Sequence, residues 1–281
     1  MQTGPATPSS DTDLAAAGTF PRQKSARGAA YFEAGEGDAL LLIHGVGMRL
    51  EAWAPQIERF SKTHRVIAVD MPGHGGSDRL PVGSSVTDFV AWLGRFLDDL
   101  NLGRTSIAGH SMGAMISGGA VASFPGRVAR VAYLNGVYRR DPQAKAAVLA
   151  RAEAIRAEGV DKEGPLARWF DDEPNNRRAR ELTRAWLEQV DPEGYAVAYT
   201  AFAGGDETYA DCWPQVACPA LFLTGSGDPN STPEMARAMA AAAPKGWARI
   251  IEGHRHMVNL TAPEAVNAVL AEWLVVEEKP A

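Results

Sequence analysis

Short unbroken apolar runs, alternating with helical patterns, constrain this chain more than any other feature. Ala39-Leu40-Leu41-Leu42-Ile43 ends in His44-Gly45, and Arg65-Val66-Ile67-Ala68-Val69-Asp70 stops at Pro72-Gly73. Thr105 to Gly109, Val128 to Leu134, Ala220 to Thr224 and Trp247 to Ile251 follow the same form, with a weaker run at Ala29 to Ala34. A strand that is apolar at every position has no face for water. Such strands belong in a mostly parallel sheet covered by helices on both sides. The intervening segments supply them. Val86, Phe89, Val90, Leu93, Phe96, Leu97 and Leu100 trace one helical face, with Ser85 as its cap and Asp88 three residues on. Trp53 to Phe60, Met112 to Phe124, Pro233 to Ala243 and Pro263 to Val275 are also expected as helices. The rhythm breaks between Val137 and Asp211. That stretch is charged, helical in pattern at Ala144 to Ala157 and Arg177 to Val190, and holds no convincing strand. An insertion there is placed to cover a site at the strand C-termini.

The remaining classes are narrowed by charge and cysteine content. Lys and Arg number 28 against 34 Asp and Glu, a formal charge of -6, so the chain is a poor match for nucleic acid or an anionic membrane. No apolar run reaches the ~18 residues of a membrane span. Cys212 and Cys218 are too few for a disulfide scaffold or a four-cysteine zinc site and are expected as free thiols of a cytoplasmic protein. The N-terminus lacks a basic start followed by an apolar stretch, so it does not resemble a secretory signal. About the first 25 residues are expected as a flexible or loosely packed leader.

Three side chains carry the chemistry. Gly109-His110-Ser111-Met112-Gly113 fits G-x-S-x-G between a strand and a helix, a sharp turn that thrusts one hydroxyl out. A nucleophilic serine needs a base, and the base needs an orienting acid. His254 and His256 follow the last strand, at the sheet edge that carries Ser111. Spacing to Pro263 favours His256. Asp228 stands on the turn directly after strand Ala220 to Thr224, between serine and histidine in chain order. Asp141 is a weaker rival, and the end of Val128 to Leu134 offers Asn135-Gly136 with no carboxylate. The turn His44-Gly45-Val46-Gly47 can lend the Val46 N–H to an oxyanion, beside the Met112 N–H. His74, in Pro72-Gly73-His74-Gly75, is read as architectural. The histidines have no metal-ligand spacing, and no phosphate loop is present, so neither metal nor cofactor is expected.

Taken in order, His44-Gly45…Trp53, Asp70-x-Pro-Gly-His-Gly-x-Ser77, the Ser111 pentapeptide, Gly225-x-x-Asp228 and His256…Pro263-Glu264 resemble the α/β-hydrolase superfamily. The resemblance implies an eight-stranded, mostly parallel sheet flanked by helices, a helical cap after the sixth strand, and a cofactor-free Ser-His-Asp triad. It divides the chain into a leader (1–25), a core (26–136 and 212–281) and a cap (137–211). Arg168-Trp169-Phe170, Asp191 to Ala196 and Ala201-Phe202-Ala203 resemble the cap of 3-oxoadipate enol-lactonases and small-ester hydrolases. One departure stands out: Arg255 occupies a position where the family usually has glycine.

The expected function is therefore hydrolysis of a small carboxylic ester or lactone through an acyl-enzyme on Ser111, with Asp228 and His256 completing the triad. Trp169, Arg139 and Tyr195 are the expected substrate-binding residues, with Arg140 and Arg168 near them. The alternatives are hydrolysis of a C–C bond in a meta-cleavage-type diketone and, from another class, a ligand receptor with a vestigial triad. The partner is a small molecule, and the sequence leaves the oligomeric state open.

Overall fold

The computed structural model describes residues 19–276. Eight strands form one sheet: β1 (Gln23–Lys24), β2 (Ala30–Ala34), β3 (Ala39–Ile43), β4 (Arg65–Val69), β5 (Thr105–His110), β6 (Val128–Leu134), β7 (Ala220–Gly225) and β8 (Gly246–Ile251). Their order is β1-β2-β4-β3-β5-β6-β7-β8. Only β1 and β2 run antiparallel to their neighbours, and the other pairs are parallel. The register places Ile43 beside Gly109, and His110 beside Leu134. The C-termini of β3, β5 and β6 therefore lie along one edge.

Both faces are buried along the central strands β3 to β7, which is why these are largely apolar, whereas β1, β2 and β8 at the edges retain exposure. Leu41, Ile43, Ile107, Val131 and Phe222 point to a core shared with Phe89 and Leu93 of α2 (Val86–Asp99) and with Met112 and Ile116 of α3 (Met112–Ser123). Leu40, Leu42, Ala108, Leu134 and Leu223 point the other way, onto Ile57 and Phe60 of α1 (Ala54–Phe60) and Leu270 and Trp273 of the closing helix Pro263–Leu274. The alternation has period two, as a pleated strand demands. α2 begins with the capping box read from Ser85 and Asp88.

Between β6 and β7 lie α4 (Pro142–Glu158), α5 (Glu163–Trp169), α6 (Arg177–Glu188) and α7 (Pro192–Gly204), with no strand. α4 and α6 are the helices expected there. α5 and α7 escaped the sequence reading because one is a single short segment and the other is apolar nearly all round.

The leader needs correction at its C-terminal end; residues 1–18 lie outside the described residues. Phe20 packs on Phe32 with ring centroids 4.6 Å apart, and Gln23–Lys24 pair with β2. Arg22 donates from Nε to Asp70 Oδ2 at 2.6 Å and from Nη2 to Glu51 Oε2 at 2.7 Å. Burial pulls the Arg22 guanidinium down, but its bonds to Glu51 and Asp70 outweigh that and raise its pKa. Asp70 is wholly buried and also accepts the Leu50 and Gly76 N–H groups. Arg22→Ala leaves the buried Asp70 without a cation and Glu51 with Arg49 alone. We expect a loss of about 3 kcal/mol in urea unfolding, the low end for a broken buried pair because the guanidinium retains some exposure. A change below ~0.5 kcal/mol would mean that this N-terminal stretch is an ornament after all.

Candidate active site

Ser111 occupies the sharp turn between β5 and α3, with φ 56° and ψ −115°. This is the left-handed side of the map, costly for any residue with a Cβ, and it is held by the packed elements on either side. Two glycines make the turn possible. A Cβ on Gly109 would lie 2.0 Å from the Gly113 carbonyl oxygen, and one on Gly113 would lie 2.1 Å from that of Ile43. The G-x-S-x-G spacing is thus a packing requirement between β5, α3 and β3. The Ser111 carbonyl accepts the Ala114 and Met115 N–H groups, so it points into the helix. The Met112 N–H belongs to the same peptide and faces back out of the helix N-terminus.

Asp228 and His256 meet as expected. His256 Nδ1 lies 2.7 Å from Asp228 Oδ2, and both side chains are buried. Asp228 Oδ1 accepts the Asn230 and Ser231 N–H groups at 2.8 and 3.2 Å. Asn135 adds a third support, its Nδ2 donating to Asp228 Oδ2 at 2.8 Å. Burial alone would raise the Asp228 carboxyl. The charge and hydrogen bond of His256, with the donors from Asn135 and Asn230, outweigh it and hold the group below the usual carboxylate range. Asn135 stands at the end of β6, the position weighed and passed over for lack of a carboxylate; its amide serves the acid on the neighbouring strand. His254 lies apart from the carboxylate, its Nδ1 2.9 Å from Thr261 Oγ1.

Three further histidines hold the backbone around these groups. His110 Nε2 lies 2.8 Å from the His256 carbonyl oxygen, and burial pushes the His110 pKa down to about 3. A neutral ring with the proton on Nε2 therefore tethers the histidine loop to the serine turn. His44 donates from Nδ1 to the Gly45 carbonyl at 2.7 Å and accepts the Met71 N–H at 2.9 Å through Nε2. His74 donates from Nδ1 to the Pro72 carbonyl and accepts the Gly47 N–H at 2.9 Å. Burial keeps both rings neutral, most strongly His44. The Gly45 carbonyl and the Val46 N–H share one trans peptide, so binding the oxygen on one side turns the N–H to the other. His74 is architectural in this sense: it holds the turn that carries Val46.

Ser111, His256 and Val46 line one cavity of about 320 Å³, roofed by residues from the inserted helices. Trp169 is there, its ring 5.5 Å from the His256 ring and nearly parallel to it. Two of the expected substrate contacts are elsewhere. Arg139 is exposed and ion-paired with Asp211, and it is not among the lining residues. Tyr195 is buried core, stacked on Tyr199 with centroids 5.9 Å apart. The cavity's cations are Arg140, Arg151 and Arg168, against one lining carboxylate, Asp141. Arg140 is spoken for: it lies 3.3 Å from Asp206 and over the Phe202 ring. Arg151 donates to the Tyr199 hydroxyl at 3.1 Å, and among the described residues neither it nor Arg168 is ion-paired with a carboxylate. Arg151 was missed because nothing in a charged helix without a distinct apolar face marks which arginine faces inward.

The model of the alpha/beta hydrolase family matches residues 40–269. The chain belongs to the α/β-hydrolases. A protein from Acinetobacter baylyi, (E)-2-((N-methylformamido)methylene)succinate hydrolase, is 52% identical over 248 residues, covering 88% of this chain and 94% of its own. A thermophilic esterase from Thermogutta terrifontis, solved with malate bound, superposes with a TM-score of 0.82 at 27% identity, over 90% of this chain and 98% of its own. The enol-lactonase of Burkholderia xenovorans gives a TM-score of 0.81 at 26% identity, over 91% and 100%. The resemblance to enol-lactonases and esterases thus holds at the level of the fold, and the hydrolase class is supported. The ester bond is not confirmed, because the 52% identical relative is named for a substrate that is neither an ester nor a lactone. Among the described residues no helix is long and apolar enough to cross a membrane.

Proposed function

We propose that this α/β-hydrolase acts on a small unsaturated dicarboxylate of the amidomethylene-succinate class, by acyl transfer to water through Ser111. The observation that carries this is the pair of arginines, Arg151 and Arg168, lining the Ser111 cavity without carboxylate partners. Unpaired guanidinium groups in a small cavity are suited to ligand carboxylates. The 52% identical relative is named for a substituted succinate, which has two carboxylates. That substrate resembles the diketone alternative in being conjugated and not an ester, so it favours the non-ester reading over the ester or lactone one. All three relatives named above are hydrolases, which favours an enzyme over a receptor.

In this mechanism Ser111 Oγ attacks the amide carbonyl while His256 Nε2 takes its proton. Asp228 holds the imidazole by Nδ1–H and offsets the imidazolium charge. The Val46 and Met112 N–H groups donate to the oxyanion, each worth ~2.7–4 kcal/mol in the transition state. The C–N bond breaks and the nitrogen leaves with the proton from His256. It is a good leaving group because its electron pair delocalises through the double bond into the attached carboxyl. Water then cleaves the acyl-serine by the same proton path. The helices of 137–211 act as the cap that shields these steps from bulk water.

The test is a panel: an N-acyl aminomethylene-succinate, a neutral p-nitrophenyl ester, an enol-lactone and a ring-cleavage dienoate. We expect the highest kcat/KM on the first. Arg151→Ala should raise KM for it by roughly 10- to 100-fold while changing the neutral ester only a few-fold. Faster turnover of the lactone or the dienoate would refute the assignment.

A further inference from the structure

We propose that Arg255 is a positioning residue that latches the substrate-facing end of α5 to the catalytic histidine loop and so sets selectivity for carboxylate substrates. Arg255 is the residue that departs from the family's usual glycine. Its Nη1 donates to the carbonyls of Ala167 and Phe170 at 3.2 and 3.1 Å. Those oxygens lie at the C-terminal end of α5, where helix carbonyls have no partner within the helix. A guanidinium there satisfies two of them and complements the negative end of the helix dipole. The donor comes from a loop 85 or more residues away in sequence.

What α5 presents makes this more than a cap. Arg168 and Trp169, the two residues between those carbonyls, both line the Ser111 cavity. Trp169 lies over the ring of His256, the residue next to Arg255. Adjacent residues of one loop therefore grip the same turn of α5, one through its carbonyls and one through its tryptophan. The far end of α5 is held by an exposed pair between Glu163 and Arg184, which solvent screens. At the C-terminal end the Arg255 bonds fix the carbonyls of a turn whose Leu166 and Phe170 side chains are buried in the core. The catalytic groups do not rely on those bonds: His256 is held by Asp228 and through its carbonyl by His110, and Asp228 by Asn135. Removing the guanidinium loosens the cavity wall and leaves the triad in place.

This inference rests on the proposal that Arg168 meets a substrate carboxylate. Arg255→Ala should raise KM for an N-acyl aminomethylene-succinate roughly 10-fold and leave kcat for p-nitrophenyl acetate, and its pH profile, within about twofold. Arg255→Lys, with one ammonium for two carbonyls, should recover part of the loss. Arg168→Ala with Arg255→Ala should cost less than the product of the single effects, because both act through one contact. Amide hydrogen exchange over 163–170 should quicken in Arg255→Ala whatever the substrate. Unchanged exchange there overturns the latch, as does equal loss on the charged and neutral substrates. Should wild type prove indifferent to dicarboxylates, the proposed function fails, and the latch stands or falls on exchange alone.

Discussion

Ser111→Ala is expected to abolish turnover on every substrate in the panel, by roughly a millionfold in kcat, while the protein stays folded. The magnitude follows from what is lost. Without the hydroxyl no acyl-enzyme forms, and only the oxyanion donors and the binding groups remain. Stability should change little, since alanine removes one oxygen at a position lining an open cavity. Its Cβ keeps the positive-φ strain that the elbow already bears. Two measurements check this: kcat against p-nitrophenyl acetate, and covalent labelling by a fluorophosphonate, seen as a mass increase in wild type alone. Labelling of the alanine variant, or residual turnover within a hundredfold of wild type, would place the nucleophile elsewhere.

Asp228→Asn is expected to lower kcat by about 10⁴-fold with the fold retained. The asparagine side chain is nearly isosteric, but its amide no longer fixes the proton of His256 on Nδ1. The ring is then free to present a protonated Nε2 to the serine, the wrong tautomer for a base. The effect also has a pH signature in stability. The Asp228 carboxyl titrates below the unfolded value of ~3.9, so the stability it contributes is present above that pH. It is lost as pH falls through the depressed folded value. The stability gap between wild type and Asp228→Asn should therefore be full at neutral pH and close in strong acid. A gap that widens on acidification would mean that burial, not the imidazole and its donors, governs this carboxyl.

Much of this protein was legible from residue order alone. Unbroken apolar runs dictate a sheet buried on both faces, and Gly109 and Gly113 around Ser111 announce a tight strand-to-helix turn, because those features depend only on neighbours along the chain. The chain order of Ser111, Asp228 and His256 follows from the same topology, since each stands just past the end of a strand. Tertiary structure alone decided the rest. Arg22, beyond any recognisable periodicity, became a partly buried cation because Glu51 and Asp70 converge on it. Arg139 and Arg151 are alike in sequence, yet Arg139, in the loop before α4, pairs with Asp211 at the surface, while Arg151, on α4, lines the cavity and reaches the Tyr199 hydroxyl of α7. Asn135, His110 and Arg255 acquired their partners from segments 85 or more residues away. Local sequence sets backbone conformation and which face is apolar; the convergence of polar groups from distant segments is a property of packing, and no periodicity encodes it.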